Sequence, residues 1–369
     1  MKLKDVTLQE IKGIWGDELQ DGEKGTPVIK TNNLTYEGHV DLSHITFRNI
    51  PASKVTNCLL RYGDLLIEKS GGTKTHSVGY VNIFEDKNDE YVANNFIFVL
   101  RPNSKLIDSK YLFYQLKYRY ESGQIEHLHN QTTGIQNLKV QSYLNQEIKY
   151  VSIQTQQKIS NKLDKIEKAI KLEKSVLNSL DALIKSRFNE LFGDVDSNTN
   201  GYPSHKIGSQ FSLGAGGTPS TQNKEYWDNG TISWIGSNMC QNVVLYENDG
   251  KFITEKGYAN SSAKLFKPDT VLIALVGATI GKVALLKFET TTNQNVLGMW
   301  DIKKNGYDPY YVYYYMQAIY GKFTAIGDGN FKMASKAFVS NLDILKPSLA
   351  LQTEFSMFVE KIDKLKFSI

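Results

Sequence analysis

Asp269, Asp301 and Lys303 are of the residue types found in a metal-dependent nuclease core. There, two carboxylates hold a divalent ion and a lysine polarises the phosphate. The spacing here is loose and common. Gly277-Ala278-Thr279-Ile280-Gly281-Lys282 has the glycines and lysine of a phosphate-cradling loop. Its spacing is one residue short, and Val283 stands where a Ser or Thr would hold magnesium. His127 and His129 have no Cys or acidic cluster beside them to complete a metal site. No Ser/His/Asp set stands out. The chemistry-bearing residues do not assemble into a complete catalytic motif.

Asp308-Pro309-Tyr310-Tyr311 falls one proline short of the Asp/Asn-Pro-Pro-Tyr/Phe motif of amino-methyltransferases. It reads better as an N-cap followed by proline at the first helical position. The same helix start occurs earlier, where Asp108-Ser109-Lys110-Tyr111-Leu112-Phe113-Tyr114 matches Asp308 to Tyr314. Three further matches keep this order. Ile29-Lys30-Thr31-Asn32 aligns with Ile235-Gly236-Ser237-Asn238, and Leu65-Leu66-Ile67 with Val271-Leu272-Ile273, followed by Gly71-Gly72-Thr73 with Gly277-Ala278-Thr279. Ile153-Gln154-Thr155 aligns with Leu351-Gln352-Thr353. In the first copy Tyr62-Gly63-Asp64 occupies the turn of Asp269, so the nuclease-like trio is not repeated. The period is too long for a solenoid. It describes two copies of one domain, each followed by the same kind of helix. Two similar heads on one frame suit two similar targets at a fixed distance.

Length and composition bound the rest. A chain of 369 residues holds about two or three domains. No run of about 18 apolar residues exists, so no membrane span is expected, and the start lacks the apolar core of a signal peptide. Cys58 and Cys240 lie in different copies, which suits a reduced, cytoplasmic protein. A net charge of +4 permits nucleic-acid binding without arguing for it.

Residues 1–150 read as a strand-rich domain with one or two helices. Leu65–Ile67 and Asn95–Leu100 are short apolar runs, and Tyr111–Tyr120 has helical periodicity. Residues 195–348 repeat this grammar, with Val271–Val276 as the buried strand. Between them, in 151–194, Ile159, Leu163, Ile166, Ile170, Val176 or Leu177, Leu180, Ile184, Phe188 and Leu191 recur at three- and four-residue steps. This is a coiled-coil pattern over about four heptads, interrupted at Glu173 and stopped by Gly193. As one helix, 154–191 would span roughly 57 Å. The alternative is a single amphipathic helix lying on a core. Residues 349–369 begin the same pattern with Phe355, Phe358 or Val359, Ile362 and Leu365, and the two helices could pair antiparallel.

Gly216-Gly217-Thr218-Pro219-Ser220, Glu225-Tyr226-Trp227, Ile232-Ser233-Trp234-Ile235, Val276 to Lys282 and Thr292-Asn293-Gln294-Asn295 follow one another in the second copy. This series resembles the target-recognition domains of type I restriction–modification specificity (S) subunits. The first copy resembles another branch of the group through Gly13-Ile14-Trp15-Gly16, Pro27 to Asn32, Gly63 to Ile67 and Gly134 to Leu138. Gln154–Phe192 resembles the family's central conserved region. The resemblance covers essentially the whole chain. It implies an α+β fold of two similar recognition domains joined by long helices, which form an antiparallel coiled coil in a pseudo-two-fold arrangement. It also implies a non-catalytic subunit that binds a split duplex DNA target, one half-site per domain. Methyltransferase (M) subunits and a restriction/translocase (R) subunit would supply the chemistry, with S-adenosylmethionine, ATP and magnesium as their cofactors and none in this chain. Family members carry a second helix comparable to the first, so Ser175–Phe192 is expected to lack a partner here.

The expected DNA contacts are loop residues near the shared motifs. They are Lys30, Thr31, Asn32, Lys69, Thr73, Lys74 and His76 in the first domain. In the second they are Thr218, Ser220, Ser237, Asn238, Thr279 and Lys282. Lys and Thr suit phosphates, and Asn suits adenine edges. The competing reading gives the glycines to turns and the asparagines to local backbone caps. The lysines from Lys158 to Lys174 drift round the helix and read as a solvated face. The residues also admit two other functions, a stand-alone nuclease and a structural adaptor that binds proteins.

Overall fold

The computed structural model describes residues 1–72, 76–88, 90–132, 135–326 and 333–368. Its contacts divide the chain into two compact units, Met1–Lys171 and Leu172–Ile369. No helix among the described residues is long and apolar enough to cross a membrane.

The N-terminal unit is built on strands β1 (Thr7–Lys12), β2 (Leu65–Glu68), β3 (Val81–Ile83) and β4 (Ile97–Pro102). They form an antiparallel sheet in the order β1-β4-β2-β3. Leu65, Leu66, Ile67 and Glu68 are all buried, so the strand reads as a continuous run without alternation. Helix α1 (Ser109–Glu121) covers one face with Tyr111, Leu112, Phe113 and Leu116. Asp108 caps it by accepting from the Tyr111 amide at 2.9 Å. The first half of helix α2 (Ile153–Phe192) closes the unit. Its Gln156 is fully buried and accepts from the Asp108 amide at 2.8 Å. Lys110 and Lys117 of α1 pair with Asp164 and Glu167 of α2.

The C-terminal unit repeats this plan with strands β5 (Ser212–Ala215), β6 (Val243–Leu245), β7 (Val271–Ala274), β8 (Val283–Leu286) and β9 (Val296–Trp300). Their order is β5-β9-β7-β8-β6. The first four correspond to the N-terminal sheet, and β6 adds a parallel edge strand beside β8. Helix α3 (Pro309–Ala318) is capped by Asp308, which accepts from the Tyr310 amide at 2.8 Å. Pro309 occupies the first turn, where its missing N–H has no partner to lose. Helix α4 (Leu349–Ser368) plays the part of the first half of α2. Gln352 is fully buried and accepts from the Asp308 amide at 2.9 Å.

The helix expected as a spacer is therefore shared between the two units. Its second half also corrects one expectation, because the stretch from Leu180 to Phe192 does have a partner. Ile184, Phe188 and Phe192 share one core with Phe355, Val359 and Ile362 of α4. Arg187 pairs with Glu354 at 2.5 Å and Asp181 with Lys366 at 2.6 Å, which makes the two segments antiparallel. Repeat alignment matches α4 to the first half of α2 by position. It does not show that α4 folds back on the second half.

Asp363 lies on this helix pair with its side chain 16% exposed, and one carboxylate oxygen has no hydrogen-bond partner. Burial pushes its pKa above the ordinary aspartate range; Lys366 pulls it back and Asp181 adds to it. A raised folded-state pKa stabilises fully below the unfolded value of about 3.9. That contribution is lost as pH rises through the folded value. Asp363→Asn should thus have a higher thermal midpoint than the parent at pH 7, and the gap should close toward pH 4. A gap equal at both pH values would exclude the carboxylate charge as the cause.

Candidate nucleic-acid interface

Four backbone hydrogen bonds gather the loops at one end of the N-terminal sheet. Ile14 N–H donates to Ala93 O, Asn94 N–H to Ile29 O, Lys69 N–H to Phe96 O and Leu138 N–H to Lys69 O, at 2.7–2.8 Å. The C-terminal unit has the same four. Gly217 N–H donates to Thr292 O, Asn293 N–H to Ile235 O, Leu275 N–H to Asn295 O and Ala334 N–H to Leu275 O, at 2.7–3.2 Å. Each set joins loops that lie far apart in the chain, so a common frame presents different side chains in the two units.

Two glycines allow the closest approach. A Cβ on Gly13 would lie 1.8 Å from the Asn94 carbonyl oxygen, and one on Gly216 would lie 2.2 Å from the Thr292 carbonyl oxygen. Only a residue without Cβ lets these loops reach the strand ends. Asn94 and Asn293 shape the facing turn, accepting from the Phe96 and Asn295 amides at 3.1 and 3.0 Å.

The residues expected from sequence fall on this frame unevenly. Lys30, Thr31 and Asn32 follow directly on Ile29, and Asn32 is exposed. Its neighbour Asn33 is buried and bonds the backbone of Lys30, Asp41 and His44. The backbone-capping role in this loop therefore belongs to Asn33 and not to Asn32. Lys69 is half-buried beside Phe96. The His76 ring stacks on Tyr36 at 3.8 Å. Thr73 and Lys74 lie outside the described residues.

In the C-terminal unit, Ser237 and Asn238 hold the place of Thr31 and Asn32, and Asn238 is exposed. Thr218 donates to the Gln294 side chain at 2.6 Å, tying two of the gathered loops. Ser220 is exposed, and its carbonyl accepts from the Trp227 indole at 3.1 Å. Thr279 is half-buried and reaches Val276 O at 3.5 Å. Lys282 donates to Gln241 at 2.7 Å. The Gly277–Gly281 loop joins the antiparallel strands β7 and β8, and a phosphate loop would instead open a helix.

Some exposed side chains on the frame escaped the sequence reading. Phe96, Ile135 and Met333 are large, apolar and exposed beside the gathered bonds. Gln294 is exposed too. The matching Asn94-Asn95 and Asn293-Gln294-Asn295 turns were the available signal.

The nuclease-like trio is drawn together, but as ion pairs. Asp269 meets Lys303 at 2.5 Å and Lys287 at 3.1 Å, while Asp301 meets Lys304 at 2.6 Å and the Ser212 hydroxyl at 2.7 Å. Burial pushes Asp269 up, but hydrogen bonds from Lys303 and Lys287 outweigh it and hold its pKa below the ordinary range. The Lys304 and Ser212 hydrogen bonds lower that of Asp301. Among the described residues no group of three His, Cys, Asp or Glu side chains could hold a metal ion.

The sequence model of the type I restriction modification DNA specificity domain matches this chain twice, over residues 1–182 and 201–369. A Methanocaldococcus jannaschii protein named as the MjaX type I restriction enzyme specificity subunit is 20% identical over 99% of this chain and 86% of its own length. The MjaIX specificity subunit of the same organism is 38% identical over a shorter stretch, 28% of this chain and 23% of its own. Among solved structures, a type I restriction-modification system S subunit from M. genitalium superposes with a TM-score of 0.60 at 16% identity. That match covers 100% of this chain and 90% of the other, and it bears on the fold.

Proposed function

Because the chain belongs to the family of type I restriction–modification DNA specificity subunits, with the specificity domain present twice, we propose that it reads a split duplex target, one half-site per unit. The observation that supports this most is the repeated set of four loop-gathering hydrogen bonds. One frame recurs with different side chains, as two readers of different half-sites require. Sequence is read by side chains at base edges, and phosphate contacts set position. On this reading Asn32 and Asn238 face base edges, while Lys30, Lys69 and Lys282 neutralise phosphates, with Thr31, His76, Thr218, Ser220, Ser237, Thr279 and the undescribed Thr73 and Lys74 beside them. Two linked heads turn modest half-site affinities into one large one through effective concentration.

The chain itself is proposed as non-catalytic and cytoplasmic. Methyltransferase subunits would bring S-adenosylmethionine, and a translocating restriction subunit would bring ATP and magnesium chemistry. The paired state of Asp269 and Asp301 supports leaving the chemistry to partners.

Single-molecule methylation sequencing tests the proposal in cells expressing this chain with a cognate methyltransferase. Methylated adenines in a split motif with a fixed gap are the expected result. Motif-independent methylation, or none from a soluble complex, would overturn it. Asn32→Ala should relax one half-site and Asn238→Ala the other, each by about 1–3 kcal/mol of base discrimination. Lys69→Ala should instead weaken binding to all sequences and reduce the salt slope by about one.

A further inference from the structure

One position is held by the same backbone bonds in both units and carries a different side chain in each. Phe96 and Asn295 stand directly before β4 and β9. The Phe96 amide donates to the Asn94 side chain at 3.1 Å, and its carbonyl accepts from the Lys69 amide at 2.8 Å. The Asn295 amide donates to the Asn293 side chain at 3.0 Å, and its carbonyl accepts from the Leu275 amide at 2.8 Å. The next residue closes each turn, as Ile97 N–H donates to Asn94 O at 3.1 Å and Val296 N–H to Asn293 O at 3.2 Å. With amide and carbonyl both bonded, the backbone is fixed alike in the two units and only the side chain differs. Asn295 is half-buried. The Phe96 ring is 55% exposed, although Ile97 beside it is buried.

An exposed phenylalanine forgoes the burial that stabilises its neighbour, and its chemistry narrows what it can meet. It has no hydrogen-bonding group for a phosphate or for the polar edge of a base. In the major groove the 5-methyl group of thymine is the apolar feature, and phenylalanine is among the side chains that contact it. Asparagine at the matching position donates and accepts at once, as an adenine edge requires. A surface docking one partner on both units would keep one side-chain chemistry at a shared position. Readers of two different half-sites would change it.

We propose that Phe96 is a specificity-determining residue of the N-terminal unit, contacting the 5-methyl group of a thymine in its half-site. The assignment rests on the proposed reading of a split duplex target. It adds a contact made without a hydrogen bond, so that loss of a single methyl group is felt while the base pair stays the same. Lys69, whose amide holds the Phe96 carbonyl, places a cation on the adjoining loop, and phosphate contacts of that kind fix register. Insertion of the ring between base steps is the other way an exposed phenylalanine engages duplex DNA. That mode works by unstacking and does not need the methyl group.

The test uses the full chain in complex with a cognate methyltransferase, and duplexes carrying the split motif that methylation sequencing defines. Each thymine of the motif is replaced in turn by deoxyuridine, and binding is compared at one fixed salt concentration. One replacement, in one half-site, should weaken the parent complex about fourfold, the worth of one buried methyl-sized group. Phe96→Ala should bind the thymine duplex about fourfold or more weakly and no longer distinguish thymine from uracil there, so the two changes do not add. An unchanged thermal midpoint and intact reading of the other half-site would show that the variant is folded. A parent complex indifferent to every replacement, or a Phe96→Ala complex as sensitive as the parent, would overturn the assignment and leave the split-target reading standing. Equal weakening of all duplexes by Phe96→Ala, without a response to uracil, would indicate insertion between base steps and overturn it as well. Failure to methylate any split motif would remove the reading itself, and this assignment with it.

Discussion

Replacing Phe188 with alanine should destabilise the C-terminal unit by about 3–5 kcal/mol, the range for removing a buried phenylalanine. Phe188 is 3% exposed, and its ring lies within 6.5 Å of Phe192, Tyr311, Tyr314 and Phe355. Those rings belong to α2, α3 and α4, so the cavity would open where three helical segments meet. Relaxation cannot easily fill it, because Tyr311 is anchored by its hydroxyl donating to Leu345 O at 3.0 Å. Trp227, Trp234 and Trp300 lie in this unit and Trp15 in the other. In a Trp15→Phe background, urea unfolding followed by tryptophan fluorescence therefore reports the C-terminal unit alone. Its midpoint should fall sharply for Phe188→Ala and far less for Phe188→Leu, which keeps most of the volume. Similar losses for both would mean that the aromatic cluster is not tightly packed. The first half of α2 should keep its helicity, since its ion pairs to α1 do not involve this core.

Much of this architecture was legible in the sequence, and the misreadings have physical causes. The helix expected over 154–191 runs from Ile153 to Phe192, and that expected over Tyr111–Tyr120 runs from Ser109 to Glu121. Both carry strong periodicity and recognisable ends. The strand expected from Asn95 begins instead at Ile97. Asn94 turns the chain by accepting from the Phe96 amide, and Phe96 is left 55% exposed. The apolar run continues through Phe96 in sequence, but a side-chain hydrogen bond turns the backbone before the strand begins. The same cause leaves the exposure of Phe96 invisible to the sequence pattern.

The candidate interface could be read only in outline. The shared motifs mark the loops that the eight hydrogen bonds gather, because bonded positions such as Ile29, Ile235 and Leu275 lie within or beside them. They do not say which side chains are consumed by the frame. Asn33 and Asn32 are adjacent and chemically identical, yet one is buried under three backbone bonds and the other is exposed. Thr218 looked free for phosphate, and its hydroxyl is spent on Gln294. Such choices depend on partners dozens of residues away, which no local pattern encodes.

Asp64→Ala should lower the stability of the N-terminal unit by about 3–5 kcal/mol, because it strands a partly buried cation. Asp64 is 1% exposed and takes both hydrogen bonds of a fork from Arg101, at 2.8 and 2.7 Å. It also accepts from the Arg61 amide at 2.8 Å, while Arg101 reaches Leu59 O at 2.8 Å. The pair thus fastens the start of β2 to the end of β4 and to the preceding loop. Strand registers put Thr270 and Trp300 at the corresponding places in the C-terminal unit, since Leu65 faces Leu100 as Val271 faces Met299. One fold therefore tolerates either an ion pair or a threonine and an indole there, which argues that the penalty comes from breaking the pair and not from lacking it. Adding Arg101→Met to Asp64→Ala should then recover at least about 1 kcal/mol, as replacement of whole buried pairs by apolar residues does. Hydrogen exchange at the β2 and β4 amides would localise both effects. If the double variant is no more stable than the single one, Arg101 is not stranded. In that case the loss would arise from the Arg61 turn, which Asp64→Asn should largely preserve, since an amide oxygen can still accept from that N–H.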